Sequence, residues 1–294
     1  MRIIVLFFAL ILTGCHWAGI NGDGPVVERE VEQVLAPFDA LAVEEDLQVY
    51  LTYGTEPHIF LKGQSNILDV TRLQVQDGML TVDYERNVNR HEGVEVHLQI
   101  DRRLNYLSLA GESSFEADSA NCFAEDLIGI DLAGSSQARG IIVNNATEVR
   151  ISLAGSSYLK GQLNTETVKI LQAGASDVSM DCQAVYADLY QGGSSVMTGD
   201  FLTKILKIKA EGASQMRLYG FTDQMDATLS GSSAVNGEKF QCQQLDINMM
   251  GSAYLGVSCQ RQISGFMSGS SELRYSGLAR ISVSTTGSAL ITKY

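Results

Sequence analysis

The chain has 294 residues and a formal net charge of −13, from 21 basic and 34 acidic side chains. A chain this acidic, without a basic block, is unsuited to a phosphate backbone, so nucleic acid is excluded as a partner. No proline follows Pro57 and no histidine follows His97, which suits a long continuous sheet and excludes histidine-based catalysis and histidine-ligated metals from the rest of the chain.

Residues 1–14 are predicted to be a signal peptide. Arg2 precedes ten apolar residues, a run that matches a signal-peptide core and is too short to span a bilayer as a mature helix. The sequence Leu-Thr-Gly-Cys at 12–15 then resembles the bacterial lipobox, in which the cysteine is lipidated and becomes the first mature residue. The alternative is an ordinary signal peptide with a chance cysteine at this position.

The lipobox resemblance implies acylation of Cys15, and more than one acyl chain gives stable anchoring. His16 follows the cysteine where the inner-membrane retention signal has Asp, so the outer membrane is the expected location. Residues 15–23 are predicted to form the lipidated tether.

Residues 24–105 are predicted to be a strand-rich N-terminal cap. Leu47, Val49 and Leu51 alternate with polar residues, and Asp77-Gly78 joins two further alternating runs, which is a strong two-residue hairpin signal. A solenoid needs such a cap to protect its first edge strand.

Residues 106–294 are predicted to be β-helix repeats, because a tripeptide of glycine and two small residues recurs ten times. The spacings between successive glycines are 23, 21, 19, 19, 19, 19, 20, 18 and 18 residues, and a period of this size indicates a solenoid. The glycines, predicted as structural turn residues, are Gly111, Gly134, Gly155, Gly174, Gly193, Gly212, Gly231, Gly251, Gly269 and Gly287.

Within each copy the apolar pattern has period two, as in strands. The residue four after each glycine is always apolar, the residue four before it is apolar in nine of ten copies, and the residue two after it is always Ser or Ala. Even offsets are therefore predicted to face inward. Each unit reads as strand, tight Gly-Ser turn, strand and second turn, and the stacked serine hydroxyls are expected to hydrogen-bond from rung to rung.

Charges five residues before the glycines indicate how the units stack. If each unit is one rung, the charges alternate in sign along the column, whereas two units per coil would stack like charges. The alternation favours one unit per rung, with Gln172 and Gln191 as an inward ladder and a rod of about 48 Å for ten rungs. The column runs Arg150, Lys169, Asp188, Lys207, Asp226 and Asp246, and the alternation spans Lys169 to Asp226.

Together these features resemble a known family. After the lipobox come Gly19-Ile20-Asn21-Gly22-Asp23-Gly24, then Glu28-Arg29, Phe38, the Asp77-Gly78 turn and the Gly-Ser rungs. The sequence resembles, over nearly all of the mature chain, the family of auto-transporter adhesins with a head GIN domain. The resemblance implies an all-β, right-handed parallel β-helix, similar to the pectate-lyase-like solenoids without their catalytic residues, and a role in adhesion.

The acidic side chains supply the alternative of an enzyme. A polysaccharide-active β-helix, either a lyase or a glycosidase, needs juxtaposed carboxyls or an Asp cluster for Ca²⁺ near a basic residue. The candidates are Asp177, Asp181, Asp188 and Asp226, with Lys169 and Lys207 close by. The near-constant spacing of the turns leaves little wall for a cleft, so an exposed charge ladder is favoured. The repeated serines are interpreted as structural, because the repeats have no histidine to activate them.

Cys242 and Cys259 are placed by the repeat in adjacent rungs, so they are candidates for a disulfide, with buried free thiols as the favoured alternative for them and for Cys122 and Cys182. Outward aromatic residues can stack on sugar rings, but they do not share one offset and so do not define a stripe. They are Tyr158, Tyr190, Tyr254 and Phe266.

The sequence therefore predicts a non-catalytic, lipid-anchored β-helix of the cell envelope, acting as an adhesin or binding module. Its expected partners are the membrane, through lipid on Cys15, and a glycan or surface protein. No cofactor is expected. The alternatives are the polysaccharide-active enzyme and a purely structural envelope scaffold.

Overall fold

A computed structural model describes residues 19–32, 35–119 and 122–294, so the predicted signal peptide and Cys15 lie outside the described residues. The described part of the chain contains no helix with the length and apolar character of a membrane span. Its one α-helix, α1, has four residues, Ser65–Leu68.

The strands of the N-terminal part are β1 (Val26–Glu30), β2 (Ala40–Val43), β3 (Gln48–Tyr53), β4 (His58–Gln64), β5 (Thr71–Gln76), β6 (Met79–Tyr84), β7 (Glu95–Ile100), β8 (Tyr106–Leu109) and β9 (Ser114–Ala117). They are followed by β10 (Leu127–Leu132), β11 (Gln137–Leu153), β12 (Tyr158–Gln172), β13 (Asp177–Gln191), β14 (Val196–Ala210), β15 (Gln215–Leu229), β16 (Ala234–Met249), β17 (Tyr254–Met267), β18 (Glu272–Ser276), β19 (Arg280–Thr285) and β20 (Leu290–Lys293).

The predicted β-solenoid is confirmed, with one unit per rung. Each of the strands β11 to β17 runs from one Gly-Ser turn to the next and pairs in parallel with the strand of the following unit. The register places Lys169 beside Asp188, and Asp188 beside Lys207, as one unit per rung requires. The inward amides of Gln172 and Gln191 meet at 2.9 Å, as expected for a ladder.

The core is the continuous column of side chains at even offsets from the turn glycines. Residues four before the glycine, such as Leu189, and four after it, such as Val178, are fully buried in the central rungs. In the last rung the equivalent Val283 and Ile291 are only partly buried, because no further rung of the described chain covers them.

Two features of the turns require glycine: a backbone angle that favours it, and too little space for a Cβ atom. All ten repeat glycines have φ between 71° and 77°, in the left-handed region. At nine of the ten glycines, the N–H of the following residue donates to the carbonyl oxygen of the glycine one rung earlier, as in Ser194 to Gly174 at 2.8 Å. A Cβ on Gly193 would lie 2.5 Å from that same oxygen of Gly174. The turns therefore stack through their backbones.

The expected rung-to-rung hydrogen bonds of the serine hydroxyls form in part, and they go to backbone carbonyls and not to the next hydroxyl. The hydroxyl of Ser113 donates to the carbonyl of Val43 in the rung below at 3.3 Å, and that of Ser195 to Gly192 in its own turn at 3.1 Å. Backbone carbonyls lie nearer than the next hydroxyl, which is one strand spacing, about 4.8 Å, away. In the described chain the Oγ atoms of Ser157, Ser214 and Ser233 have no partner.

Parallel stacking begins before the predicted boundary at residue 106. Strands β2 and β3 pair in parallel with β8 and β9, and on their other side with β6 and β7. Glu45, at φ 62°, occupies the position of a turn glycine, and the N–H of Glu112 donates to its carbonyl. Because this turn has no glycine, the Gly-Ser pattern does not reveal it.

The remaining N-terminal elements cover the outermost of these rungs. Strand β4 runs antiparallel to both β1 and β7, and α1 contributes the buried side chains of Ile67 and Leu68. The predicted Asp77-Gly78 hairpin is confirmed between β5 and β6.

The predicted tether, residues 15–23, is part of the cap from Ile20 onward. Ile20 exchanges backbone hydrogen bonds with residues 87 and 89, and the N–H of Gly22 donates to the carbonyl of Arg90 at 2.7 Å. A side chain at Gly22 would collide with the Gln64 amide, which accounts for glycine there.

The charge column predicts a small, salt-dependent effect on stability. Asp188→Lys places a third positive charge between Lys169 and Lys207, and each like pair on neighbouring strands costs a few tenths to about 1 kcal/mol, less in salt. We expect urea unfolding at low ionic strength to show this loss and high salt to reduce it. An unchanged unfolding midpoint at low salt would show that the column makes no electrostatic contribution.

Candidate binding groove

A groove of about 910 Å³ opens on the outer face of the strands that precede the turns. Two adjacent columns of outward residues form its floor across five rungs. The first column contains Tyr106, Gly129, Arg150, Lys169 and Asp188, and the second contains Asp131, Ser152, Leu171 and Tyr190. We refer to this surface as the groove.

One wall of the groove comes from the connection between β9 and β10. This connection makes the spacing between Gly111 and Gly134 the longest in the array, at 23 residues. From the connection Ala124 and Asp126 line the groove, and Leu127 at the start of β10 lines it with 49% of its surface exposed. The expectation that uniform spacing leaves little wall is therefore wrong at this rung.

One tyrosine lies at each end of the groove, and each donates a hydrogen bond to a carboxylate. The Tyr106 hydroxyl donates to Asp131 Oδ2 at 2.6 Å, and the Tyr190 hydroxyl donates to Glu211 Oε2 at 3.0 Å. Burial, together with the hydrogen bond to Asp131, raises the pKa of Tyr106. The Cδ2–Cε2 edge of the Tyr106 ring lies over Gly129, where a Cβ would come within 2.8 Å of Cδ2.

The two cations of the groove share one carboxylate. Arg150 Nε and Lys169 Nζ each donate to Glu148 Oε1 at 2.8 Å. These hydrogen bonds, first from Arg150 and then from Lys169, lower the pKa of Glu148 to about 2. In the described chain Lys169 forms its ion pair with Glu148 and not with Asp188, although Asp188 is its neighbour in the column.

The other predicted acidic candidates lie outside the groove. Asp181 and Asp200 are in-register neighbours on a different face, beside a smaller groove of about 380 Å³. Asp226 has Asp246 as its in-register neighbour, and Asp177 lies beside a turn. Among the residues that the structure describes, no cluster of three His, Cys, Asp or Glu side chains is arranged to hold a metal ion.

Of the aromatic residues singled out from the sequence, Tyr190 lines the groove. Tyr158 lies beneath the Arg139 guanidinium, Tyr254 donates to Glu238, and Phe266 is exposed elsewhere. Tyr106 was not predicted from the sequence. The sequence does contain a pattern that could have revealed it: Tyr106 is five residues before Gly111, and Gly129 is at the same offset from Gly134, in the next rung.

The four cysteines of the described chain are buried free thiols. Cys242 and Cys259 are register partners in adjacent rungs, which confirms their predicted stacking. Burial raises the pKa of Cys182 to about 12, so this thiol is unreactive near neutral pH.

Comparison with known proteins gives a family match and solved relatives of the same fold. The family model described as "Putative auto-transporter adhesin, head GIN domain" matches residues 37–200 and 183–279. A structure described as a "putative adhesin" from Parabacteroides distasonis ATCC 8503 is 16% identical, covers 94% of this chain and 100% of that chain, and has a TM-score of 0.53. This likeness shows the shared fold.

A second structure from the same organism, described as a "Putative lipid binding protein", is 18% identical over 94% of this chain and 99% of that chain, with a TM-score of 0.49. No curated protein matches the chain.

Proposed function

Since the chain belongs to the family of auto-transporter adhesins with a head GIN domain, we propose that it is a non-catalytic binding module of the cell envelope, anchored by lipid on Cys15, whose ligand site is the groove. Family membership indicates a cell-surface or envelope protein. The observation that carries the proposal is the wall beside the groove: the longest inter-turn connection borders a floor of exposed apolar and hydrogen-bonding side chains.

Two of the three carboxylates that line the groove, Asp131 and Asp188, are too far apart to act as a catalytic pair, which supports a binding role. Asp131 and Asp188 lie three rungs apart, about 14 Å at the usual strand spacing. Paired catalytic carboxyls of glycosidases lie about 5 to 9.5 Å apart. The Asp131 carboxylate also accepts the Tyr106 hydroxyl, so it serves to hold a ring in place.

Binding by the soluble form that starts at His16 tests the proposal on an array of glycans and host-matrix proteins. Leu171, on the groove floor, is 47% exposed, and Leu202, on another face, is 49% exposed. Leu171→Asp puts an unpaired charge against any bound ligand and should weaken binding about tenfold or more. The matched control Leu202→Asp should bind like the parent. If Leu171→Asp also binds like the parent, the ligand site lies outside the groove.

A second candidate, a polysaccharide-active enzyme, rests on Asp181 and Asp200. As in-register neighbours these residues have backbones about 4.8 Å apart, a spacing from which two carboxyl groups can reach the separation of about 5 to 5.5 Å found in retaining glycosidases. Polysaccharide panels should be incubated with the parent and with a variant carrying both Asp181→Asn and Asp200→Asn. Release of reducing ends or unsaturated products by the parent, lost in the variant, would favour the enzyme; we expect no release by either protein.

A further inference from the structure

We propose that the ligand of the groove is an uncharged, hydroxyl-rich glycan chain that lies along the solenoid axis and contacts the rings of both Tyr106 and Tyr190. This inference rests on the proposed function and adds the chemical class of the ligand. It depends on three features of the groove: its rings, its charge and its length.

The rings are held in place before any ligand arrives. A sugar presents C–H groups on one face and hydroxyls around its rim, so an aromatic ring beside fixed polar groups complements both parts. Tyr106 is held by Asp131 and has Gly129 beneath one edge, while Tyr190 is held by Glu211 with Lys209 Nζ 5.1 Å from its ring centroid. Such preorganised rings lose little conformational freedom on binding.

The charges of the groove disfavour an anionic ligand. Asp126, Asp131 and Asp188 line the surface, and Glu148 already pairs with both lining cations, so four carboxylates face two cations. A carboxylate or sulfate on the ligand would meet this excess of negative charge, at an energetic cost. The same carboxylates and the Ser152 hydroxyl accept hydrogen bonds from neutral hydroxyls.

The distance between the two tyrosine rings indicates that a ligand contacting both is extended. Tyr106 and Tyr190 lie four rungs apart, about 19 Å at the usual strand spacing. A disaccharide is too short to reach both rings, whereas a chain of several sugars along the axis reaches both. Oligomers should therefore bind much more tightly than the corresponding disaccharide.

Gly129→Ala tests the contribution of the Tyr106 ring to binding without destabilising the fold. Gly129 does not have a positive φ, so its strand backbone accepts alanine, but the new Cβ would lie 2.8 Å from Tyr106 Cδ2 and must displace the ring. The matched control is Gly192→Ala, whose Cβ would lie 3.6 Å from the Tyr190 ring, an ordinary contact that requires no shift.

The experiment is calorimetric titration of the soluble form starting at His16. The probes are cellohexaose, cellobiose, and oligogalacturonate of the same length as cellohexaose. We expect cellohexaose to bind about tenfold or more tightly than the other two, with less than about a twofold change between low and high salt. Gly129→Ala should weaken cellohexaose binding about tenfold while Gly192→Ala leaves it unchanged.

Preference for the galacturonate, strong salt dependence, or equal binding by Gly129→Ala and the parent would overturn the proposal. Absence of binding to any neutral glycan, together with capture of a matrix protein that Leu171→Asp abolishes, would also overturn it while leaving the groove as the ligand site. Cellohexaose binding that both Leu171→Asp and Gly129→Ala leave intact would instead contradict the proposed function itself.

Discussion

Gly193→Val is expected to destabilise the middle of the solenoid strongly. Gly193 has φ 73°, where a β-branched residue is strained by about 1 to 3 kcal/mol. Its Cβ would also lie 2.5 Å from the Gly174 carbonyl oxygen, and crowding of this kind adds about 1 to 3 kcal/mol. The hydrogen bond from Ser194 N–H to the same oxygen would lengthen as the rungs separate.

The damage should begin locally, because each rung of a solenoid contacts only its neighbours. Limited proteolysis followed by mass spectrometry should find the first cuts between residues 191 and 199, and the unfolding midpoint should fall. The control is Ser136→Ala, which removes only a 3.5 Å hydrogen bond to Leu109 and reproduces the alanine present at Ala253. Parental stability and protease resistance in Gly193→Val would contradict the stacked-turn account.

Cys15→Ala is expected to release the protein from membranes, an all-or-none change in fractionation. If the signal peptide is still removed, acylation of Cys15 is the hydrophobic attachment that the lipobox implies, and more than one acyl chain makes that attachment stable. The measurement is the distribution of cleaved protein between the soluble and membrane fractions, with mature N-termini determined by mass spectrometry.

A cleaved Cys15→Ala protein that still sediments with membranes would contradict lipid anchoring. The control is His16→Ala, which leaves the cysteine in place and should remain in the membrane fraction. Because Ile20 onward is bonded to the cap, loss of the lipid should not disturb the rungs, and the released protein should unfold like the soluble form.

The solenoid could be predicted from the repeat, because each Gly-Ser turn in the sequence marks the position of one rung. Period-two burial around the glycines and the in-register stacking of Lys169, Asp188 and Lys207 follow from spacing alone. The rung formed by β2 and β3 could not be found this way, since Glu45 occupies its turn in a left-handed conformation that glycine favours. Non-glycine residues with positive φ leave no signal in a search for glycine.

The groove was harder to predict than the rungs. Its wall arises from a connection only a few residues longer than the others, and sequence length does not show on which face extra residues emerge. The pairing of Lys169 with Glu148 is diagonal between neighbouring rungs, so a column of equal offsets does not reveal it. Tyr106 over Gly129 was present in the sequence as an aligned aromatic–glycine pair.

The central claim is that this envelope protein acts by binding a ligand in its groove. Its most direct test uses intact cells that display equal amounts of the lipidated parent, Leu171→Asp or Leu202→Asp, and measures their retention on surfaces coated with cellohexaose. Cells with the parent and with Leu202→Asp should be retained alike, whereas cells with Leu171→Asp should wash off like cells that lack the protein. Retention of Leu171→Asp cells at the parental level would contradict the claim.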